Sequence, residues 1–467
     1  MIMIEKWNNL SRVVSFDTKA EEADFKAALR FDVPNSFWIS RYRGGWDGTY
    51  SFFNRRNSTF PTGLLDTLPA PLQERLEVVD RRVRPERNSR LLRMEELVDM
   101  EFRDYQAETI SRAVELERCA IESPTGSGKT EIGIGLVFVL AVRTLFCVHL
   151  ENLLWQAKER FEGRGFKVGV INADTWDPKE ITIAMVPTLY SRMRNDQKYV
   201  KDFLAKSVDC LILDECHHVG SASSWELPAK NCNAYYRFGL SATTMLKDDL
   251  SNARLVGQTG QVITAVGKKE LIERGIIAQP IINMVCNETL FKKYDNLNYQ
   301  AVYRLAVEEN MVRNFLVCRI ASEKMDEGKP VLVIVHTVRH AQQLMGKFSD
   351  RNLERVRLIT GAVDGQDRQD LIKDLNSGKI LGIVATPVFD EGADIPNLRV
   401  LVLGGGGKSP IKVIQRMGRG MRRKAEGSNT VEIFDFLDVT NKYTRRHAQQ
   451  RMKVYSGEGF EVGKIVI

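Results

Sequence analysis

Three short stretches carry residue types that together handle phosphate. In "CAIESPTGSGKTEIGIG" an apolar strand runs into the turn Ser123-Pro124-Thr125-Gly126-Ser127-Gly128, and Lys129-Thr130 opens an apolar helix. Backbone N–H groups of such a turn, together with the helix start, form a cradle for phosphate oxygens. Lys129 suits the β- and γ-phosphates, and the Thr130 hydroxyl suits Mg²⁺. The spacing G-x-x-x-x-G-K-[ST] has Ser123 in place of its first glycine, a position that a small residue can fill.

The second stretch is "CLILDECHH". An apolar strand delivers Asp214 and Glu215 at its carboxyl end, where open α/β sheets bind ligands. Asp214 suits the Mg²⁺ shell, through water. Glu215 suits a base that orients and deprotonates an attacking water. An acidic pair after a strand can equally be a satisfied turn; beside a phosphate loop it reads as a nucleotide hydrolysis site. "FRDYQAET" precedes the loop by about twenty residues. Its Gln106 has the bidentate amide that matches adenine N6 and N7, which favours ATP.

The third stretch, "QRMGRGMRRK" at 415–424, sets five cationic side chains among two glycines. A solvated helix avoids that pattern, because each interior glycine costs about 1 kcal/mol. Phosphoryl transfer is catalysed mainly by electrostatics, and an arginine at the transition state is worth about 10³ to 10⁵ in rate. Arg419 and Arg422 are therefore candidates to complete the phosphate site when two lobes close, so that hydrolysis becomes lobe movement. The alternative is a basic surface patch.

These residues need sheets to hold them. From about 96 to 270, helical stretches alternate with "CAIES", "TLFCVHL", "KVGVI", "ITIAMV", "CLILDE" and "YRFGLSAT"; from 271 to 440 the pattern repeats with "PVLVIVHT", "RVRLITG", "GIVATP", "RVLVLGG" and "TVEIFDF". Such alternation predicts two parallel sheets, each covered by helices on both faces. Residues 441–467 read as a basic helical tail. Residues 1–95 read as a small domain ending in "RRVRPERNSRLLRMEE", either an exposed linker or a basic surface.

At 467 residues the chain exceeds one hydrophobic core. Its 43% hydrophobic and 27% charged residues are those of a soluble globular protein. The absence of a long apolar run or secretory leader predicts no membrane association. Seven singly scattered cysteines fit neither a zinc site nor a simple disulfide framework, so a reducing cytoplasm is expected, a host cell's if the chain is phage-encoded. The net charge of +7 is compatible with a polyanion partner without requiring one.

The ordered set "RDYQ", "SPTGSGKT", "DECH", "SAT", "VATPVFDEGADIPNL" and "QRMGRGMR" resembles the superfamily 2 helicases and translocases of the DExH type. The resemblance implies an α/β architecture of two tandem RecA-like lobes using ATP and Mg²⁺. It adds Arg103 to the nucleotide site and makes Gly392 and Asp394 nucleotide sensors. By the same resemblance Ser241 and Thr243 couple hydrolysis to nucleic-acid binding, and His217 and Gln415 communicate across the cleft. Thr360, Gly361 and Thr386 would contact the backbone of the tracked strand. Val186 stands where the family usually has threonine, and His149-Leu150 where a Pro-Thr turn is usual.

"RYRGGWDGTYSFFNRRNSTFPTGLL" and the carboxyl end are similar to the phage UvsW-type helicases, which carry a small α/β domain before the motor. That similarity implies remodelling of branched DNA: Holliday-junction migration, fork regression and removal of RNA from RNA–DNA hybrids in R-loops. Recombination or single-strand-binding proteins are the implied partners. Arg41, Arg43, Arg55 and Arg56 flank Trp38, Trp46, Phe52 and Phe53. Cations beside aromatics make a nucleic-acid surface, or the aromatics are the small domain's core. Other functional readings are a duplex translocase subunit of a restriction or excision-repair complex, a nucleic-acid-stimulated ATPase sensor, and an RNA helicase.

Overall fold

The computed structural model describes residues 1–34, 36, 46–88, 101–221, 223–245, 248–286, 297–363, 365–386, 395–407, 423–424, 428–439 and 441–466. The chain divides into two compact units, Met1–Pro124 with Gly128–Val266 and Thr125–Ser127 with Gly267–Ile467. Each is built on a parallel sheet, the RecA-like architecture.

The first unit's large sheet has eight strands in the order Trp176–Asp177, Val168–Ile171, Ile181–Met185, Thr144–Val148, Cys210–Asp214, Tyr236–Ser241, Arg118–Glu122, Val262–Thr264. All neighbours are parallel except the first pair. Helices cover both faces, which is why the central strands read as unbroken apolar runs. Helix Lys129–Leu140 is apolar on every side and correspondingly buried, packing with Ile121, Phe146, Ile212 and Leu240. The two strands without a run in the sequence, Trp176–Asp177 and Val262–Thr264, are two and three residues long, too short to give a pattern.

An amino-terminal sheet, ordered Thr59–Pro61, Leu10–Phe16, Ile2–Lys6, Leu76–Asp80, holds helix Lys19–Ala28 against it. Thr18 and Glu21 close that helix's start with a reciprocal capping box. Ile2, Ile4, Phe25 and Phe60 form the core, joined by Leu250, Ala253 and Val256 of helix Asp249–Thr259 from the neighbouring lobe. Phe52 and Phe53 belong to this core, so they pack rather than stack on bases. Trp46 is tied down by its Nε1–H donating to the Thr49 carbonyl at 3.1 Å.

The arginine-rich stretch after this domain is not a free linker as far as Asn88. Arg82 lies over the Tyr235 ring at 4.7 Å and pairs with Glu117 at 2.8 Å. Arg84 donates to the Tyr236 hydroxyl at 2.8 Å, and Arg87 to the Val139 carbonyl at 2.7 Å. Arginine's planar fork suits stacking and bidentate bonding at once, which is why this charged run docks.

The second unit's sheet is wholly parallel, ordered Val356–Ile359, Gly382–Ala385, Val331–Ile334, Val400–Val402, Thr430–Phe436, Gln279–Cys286, Val462–Val466. The basic carboxyl-terminal stretch does form a helix, Lys442–Gly457, but the strand after it becomes this sheet's edge. Arg451 of that helix is buried on Asp435 at 2.7 Å. No helix among the described residues is long and apolar enough to cross a membrane.

Candidate nucleotide-hydrolysis site

Parallel register sets which strand ends meet. Asp214 lies opposite Leu240, and Ser241 opposite Glu122, so three neighbouring strands deliver Asp214, Ser241 and Glu122 to one edge. The phosphate loop turns through Gly126 at φ +88° and Gly128 at φ +86°, conformations that glycine alone adopts without steric cost. A Cβ on Gly128 would lie 2.5 Å from Gln106 Nε2. Gln106 Oε1 accepts from the Arg103 N–H at 3.0 Å, starting helix Asp104–Leu116, and Arg103 Nη1 donates to the Tyr105 hydroxyl at 3.0 Å. Gln106 therefore touches the phosphate loop as well as capping its own helix. Ser123 is buried, its N–H donating to the Ser241 carbonyl at 2.9 Å.

Lys129 Nζ lies 3.7 Å from Glu215 Oε1. Glu215 takes φ +53°, a left-handed conformation costing a non-glycine residue roughly 1–2 kcal/mol. The turn is held because the Cys216 N–H donates to the Leu240 carbonyl at 3.0 Å. It fits because Gly239 lies beneath: a Cβ there would come within 2.7 Å of Cys216 Sγ. His217 Nδ1 is 3.0 Å from Ser241 Oγ and 3.3 Å from Glu215 Oε2. Ser241 Oγ in turn lies 2.8 Å from the Thr243 carbonyl and 3.4 Å from Glu215 Oε2. Lys129, Glu215, His217, Ser241 and Thr243 thus form one continuous chain of contacts.

The two carboxylates are electrically unlike. Burial, reinforced by the Glu215 charge, pushes Asp214 up to about 7. Burial opposes ionisation of Glu215 too, but Lys129 and then His217 outweigh it and hold its carboxyl well below the usual range. Lys129 offsets the upward shift of the half-buried Asp214 only in part, and a divalent cation beside that carboxylate fits the site. Asp214 and the Thr130 hydroxyl would hold the ion, which when bound neutralises charge at the phosphates.

The family described as "Type III restriction enzyme, res subunit" matches residues 99–246, and "Helicase conserved C-terminal domain" matches 310–424, together more than half the chain. The chain belongs to the superfamily 2 helicases. This helicase is 27% identical over 388 residues to the DNA 3'-5' translocase XPB2 of Sulfurisphaera tokodaii, covering 75% of this chain and 85% of that protein. It is 26% identical to the ATP-dependent DNA helicase uvsW of Enterobacteria phage T4, over 53% of this chain and about half the relative's length, 52%. Among solved structures, Mycobacterium smegmatis helicase Lhr bound to ssDNA and AMP-PNP shares the fold, with a TM-score of 0.53 at 18% identity over 77% of this chain and 48% of that one.

The helicase's second lobe places Thr360 and Gly361 directly after strand Val356–Ile359 and Thr386 directly after Gly382–Ala385, its neighbour. The Thr386 N–H donates to the Ile359 carbonyl at 3.2 Å, fixing the two strand ends side by side. Arg41, Arg43, Gly392, Asp394, Gln415, Arg419 and Arg422 lie outside the described residues. Two groups escaped the sequence reading. Glu122 accepts from both the N–H and the hydroxyl of Thr244, at 2.9 and 2.6 Å, bracing the turn after Ser241. His218 stacks on Trp225 and lies against His217 and His149, backing the Glu215 turn with rings. The second histidine of "DECHH" and second threonine of "SATT" were the available signals.

The burial of Asp214 has a stability consequence in this ATP-dependent helicase. Its folded-state value, about 7, exceeds the ordinary carboxylate value, so the folded protein binds a proton that the unfolded chain has released. Stability is therefore lost as pH rises from about 4 through 7. Asp214→Asn, measured without nucleotide or divalent cation, should melt several degrees higher at pH 8 and show no advantage near pH 4. An unchanged pH slope of the thermal midpoint would refute the burial account.

Proposed function

We propose that the chain is an ATP-driven DNA motor that remodels branched DNA, migrating Holliday junctions, regressing forks and clearing R-loops. The observation that carries the motor reading is the contact chain from Lys129 through Glu215 and His217 to Ser241 and Thr243. It joins the hydrolysis base to the segment after strand Tyr236–Ser241, so a change at the phosphates has a path to the strand ends. Asp214 and Thr130 hold Mg²⁺; Gly392 and Asp394 sense nucleotide; His217 and Gln415 relay closure. Arg419 and Arg422 complete the charge stabilisation from the second lobe, so Arg422→Ala should bind ATP normally yet lose about a thousandfold in hydrolysis.

Thr360, Gly361 and Thr386 are assigned to the phosphate backbone, and support comes from their adjacent strand ends. Two of the relatives are named a DNA translocase and a DNA helicase, which supports DNA, while one viral relative is named an RNA helicase. Arg41, Arg43 and Trp46 are assigned to the amino-terminal domain's nucleic-acid surface. A groove of about 450 Å³ on that domain is edged by the cations Lys19, Lys26 and Arg55, with Asp17 and Glu22 beside them and Glu22 paired to Lys26, which leaves Lys19 and Arg55 as its candidate phosphate contacts. A motor that grips backbone reads shape rather than sequence, and its affinity should fall steeply with salt.

The match to a restriction-enzyme family favours one rival, a duplex translocase that pumps DNA without separating strands. Forked, four-way and RNA–DNA hybrid substrates, assayed beside third-strand displacement from plain duplex, separate the two. Branch movement on the first set supports the proposal. Third-strand displacement alone supports the rival, and stimulated ATPase without any displacement supports a sensor.

A further inference from the structure

Helix Lys442–Gly457 holds no acidic residue along its 16 positions. Its Arg451 is buried on Asp435, but Lys442, Arg445, Arg446 and Lys453 are exposed. Among the described residues none of these four pairs with a carboxylate: Arg445 donates to the Val439 carbonyl at 3.2 Å, and Lys442 lies over the Tyr443 ring at 5.3 Å. Lys442, Arg446, Gln449 and Lys453 recur at steps of three and four residues, so they share one face of the helix. On other helices of this unit an exposed cation meets an acid of its own helix, Arg319 with Glu323 at 2.8 Å and Lys373 with Asp370 at 3.2 Å. The helix dipole disfavours cations near its start, so Lys442 and Arg445 add nothing to helix stability. A row of cations that neither a carboxylate nor the dipole stabilises suits a polyanion.

Beside the row stands a tyrosine that the fold braces without covering. Tyr299 opens helix Tyr299–Tyr303 and is 39% exposed. Its ring meets Tyr443 and His447 of the basic helix at 6.0 and 5.2 Å, and Tyr303 at 6.2 Å. Tyr303 is fixed in turn, its hydroxyl donating to the Gly405 carbonyl at 3.0 Å, just after strand Val400–Val402. A ring held in this way gives up little rotamer freedom when a base stacks on it. The basic helix follows strand Thr430–Phe436, so in this parallel sheet it starts at the same strand-carboxyl edge as Thr386 after Gly382–Ala385. Three strand positions separate the two strands, about 14 Å at the usual spacing.

We propose that Lys442, Arg446, Lys453 and Tyr299 form a further site for an unpaired stretch of DNA, the cations holding phosphates and Tyr299 stacking on a base. A duplex offers the phosphates but keeps its base faces stacked, so cations beside an open ring select a single strand. The site rests on the reading of the chain as a DNA motor, which stimulation of the unaltered chain's ATPase by DNA tests separately. Labelled single-stranded DNA, the same strand with abasic sites, an RNA strand of the same sequence and blunt duplex are titrated with the full chain, without nucleotide, and followed by fluorescence anisotropy over a salt series. Lys442→Gln, Arg446→Gln and Lys453→Gln combined should reduce the slope of log affinity against log salt on the DNA strand by about 2, since each phosphate contact on a single strand contributes about 0.7. Tyr299→Leu should weaken the ordinary strand roughly fivefold or more, with the slope unchanged and the abasic strand unaffected; Tyr299→Phe, which keeps the ring, should bind as wild type does. Blunt duplex should stay within about twofold in every variant. An unchanged slope in the triple variant would overturn the site whatever Tyr299→Leu does, and an equal Tyr299→Leu loss on the abasic strand would overturn the stacking. Equal losses on duplex would overturn the single-strand assignment, and losses confined to RNA the DNA assignment. Failure of DNA to stimulate the unaltered chain's ATPase, with the binding losses present, would sink the motor reading and leave the site standing.

Discussion

Glu215→Gln should bind ATP within about threefold of the wild-type affinity yet hydrolyse it roughly a thousandfold more slowly. Removing the carboxylate's charge leaves the phosphate loop's amides and Lys129 untouched, so the ground state keeps its contacts. In the role proposed for Glu215, what disappears is the acceptor for the proton of the attacking water. The geometry makes this residue hard to replace. Its backbone is held at φ +53° by the Cys216 bond to Leu240, and its two oxygens face Lys129 at 3.7 Å and His217 at 3.3 Å. Glutamine fills the same space and can still meet His217, so misfolding would not explain the loss. Lys129→Ala is the contrast: it removes a phosphate contact, so binding should weaken together with turnover. Nucleotide binding by fluorescence and hydrolysis by phosphate release check the pair. Glu215→Gln turning over within tenfold of wild type would remove Glu215 from the role of base.

The geometry of the candidate site was legible where local chemistry and chain geometry constrain the same residues. A phosphate loop needs glycine at Gly126 and Gly128 for the turn and lysine at its end for the charge, and both demands are written side by side. Asp214 and Glu215 announce themselves by following an apolar strand. What stayed hidden is what depends on distant partners. Nothing near Glu215 in the chain shows that Gly239 must lack a side chain so that Cys216 can fold over it. The arginines after residue 80 look like a solvated run until Tyr235 and Tyr236 appear beneath them. The carboxyl-terminal helix reads as basic, yet its Arg451 is spent inside the fold on Asp435. Charge composition identifies cations; only packing says whether they face a polyanion or a carboxylate.

Gly63→Ala should lower the thermal midpoint by about 10 °C, an effect of roughly 3 kcal/mol. In the sequence Gly63 is merely part of "PTGLL", a marker of the amino-terminal domain. In the structure it sits in the 3₁₀ turn Thr62–Thr67 and lies on helix Asp249–Thr259 of the neighbouring lobe. A Cβ there would come within 2.0 Å of the Val256 carbonyl oxygen and 2.8 Å of the Gly257 oxygen. Both neighbours are backbone, so no rotamer change relieves the overlap; the domain must lift. Lifting it would expose Leu250, Ala253 and Val256 and break the bonds from Asn8 to Asn233 and from Asn9 to Lys230, each 2.9 Å. The sequence alone suggests that deleting residues 1–90 weakens branched-DNA binding more than unstimulated ATPase, but this packing makes the domain part of the lobe's own core. Deletion should therefore cost folding as well, and substitutions at exposed cations such as Arg55 are the cleaner probe of DNA binding. Gly457→Ala is the control, since nothing lies within 4 Å of a Cβ there. A Gly63→Ala protein that melts with wild type and the control would show that the two backbones do not touch.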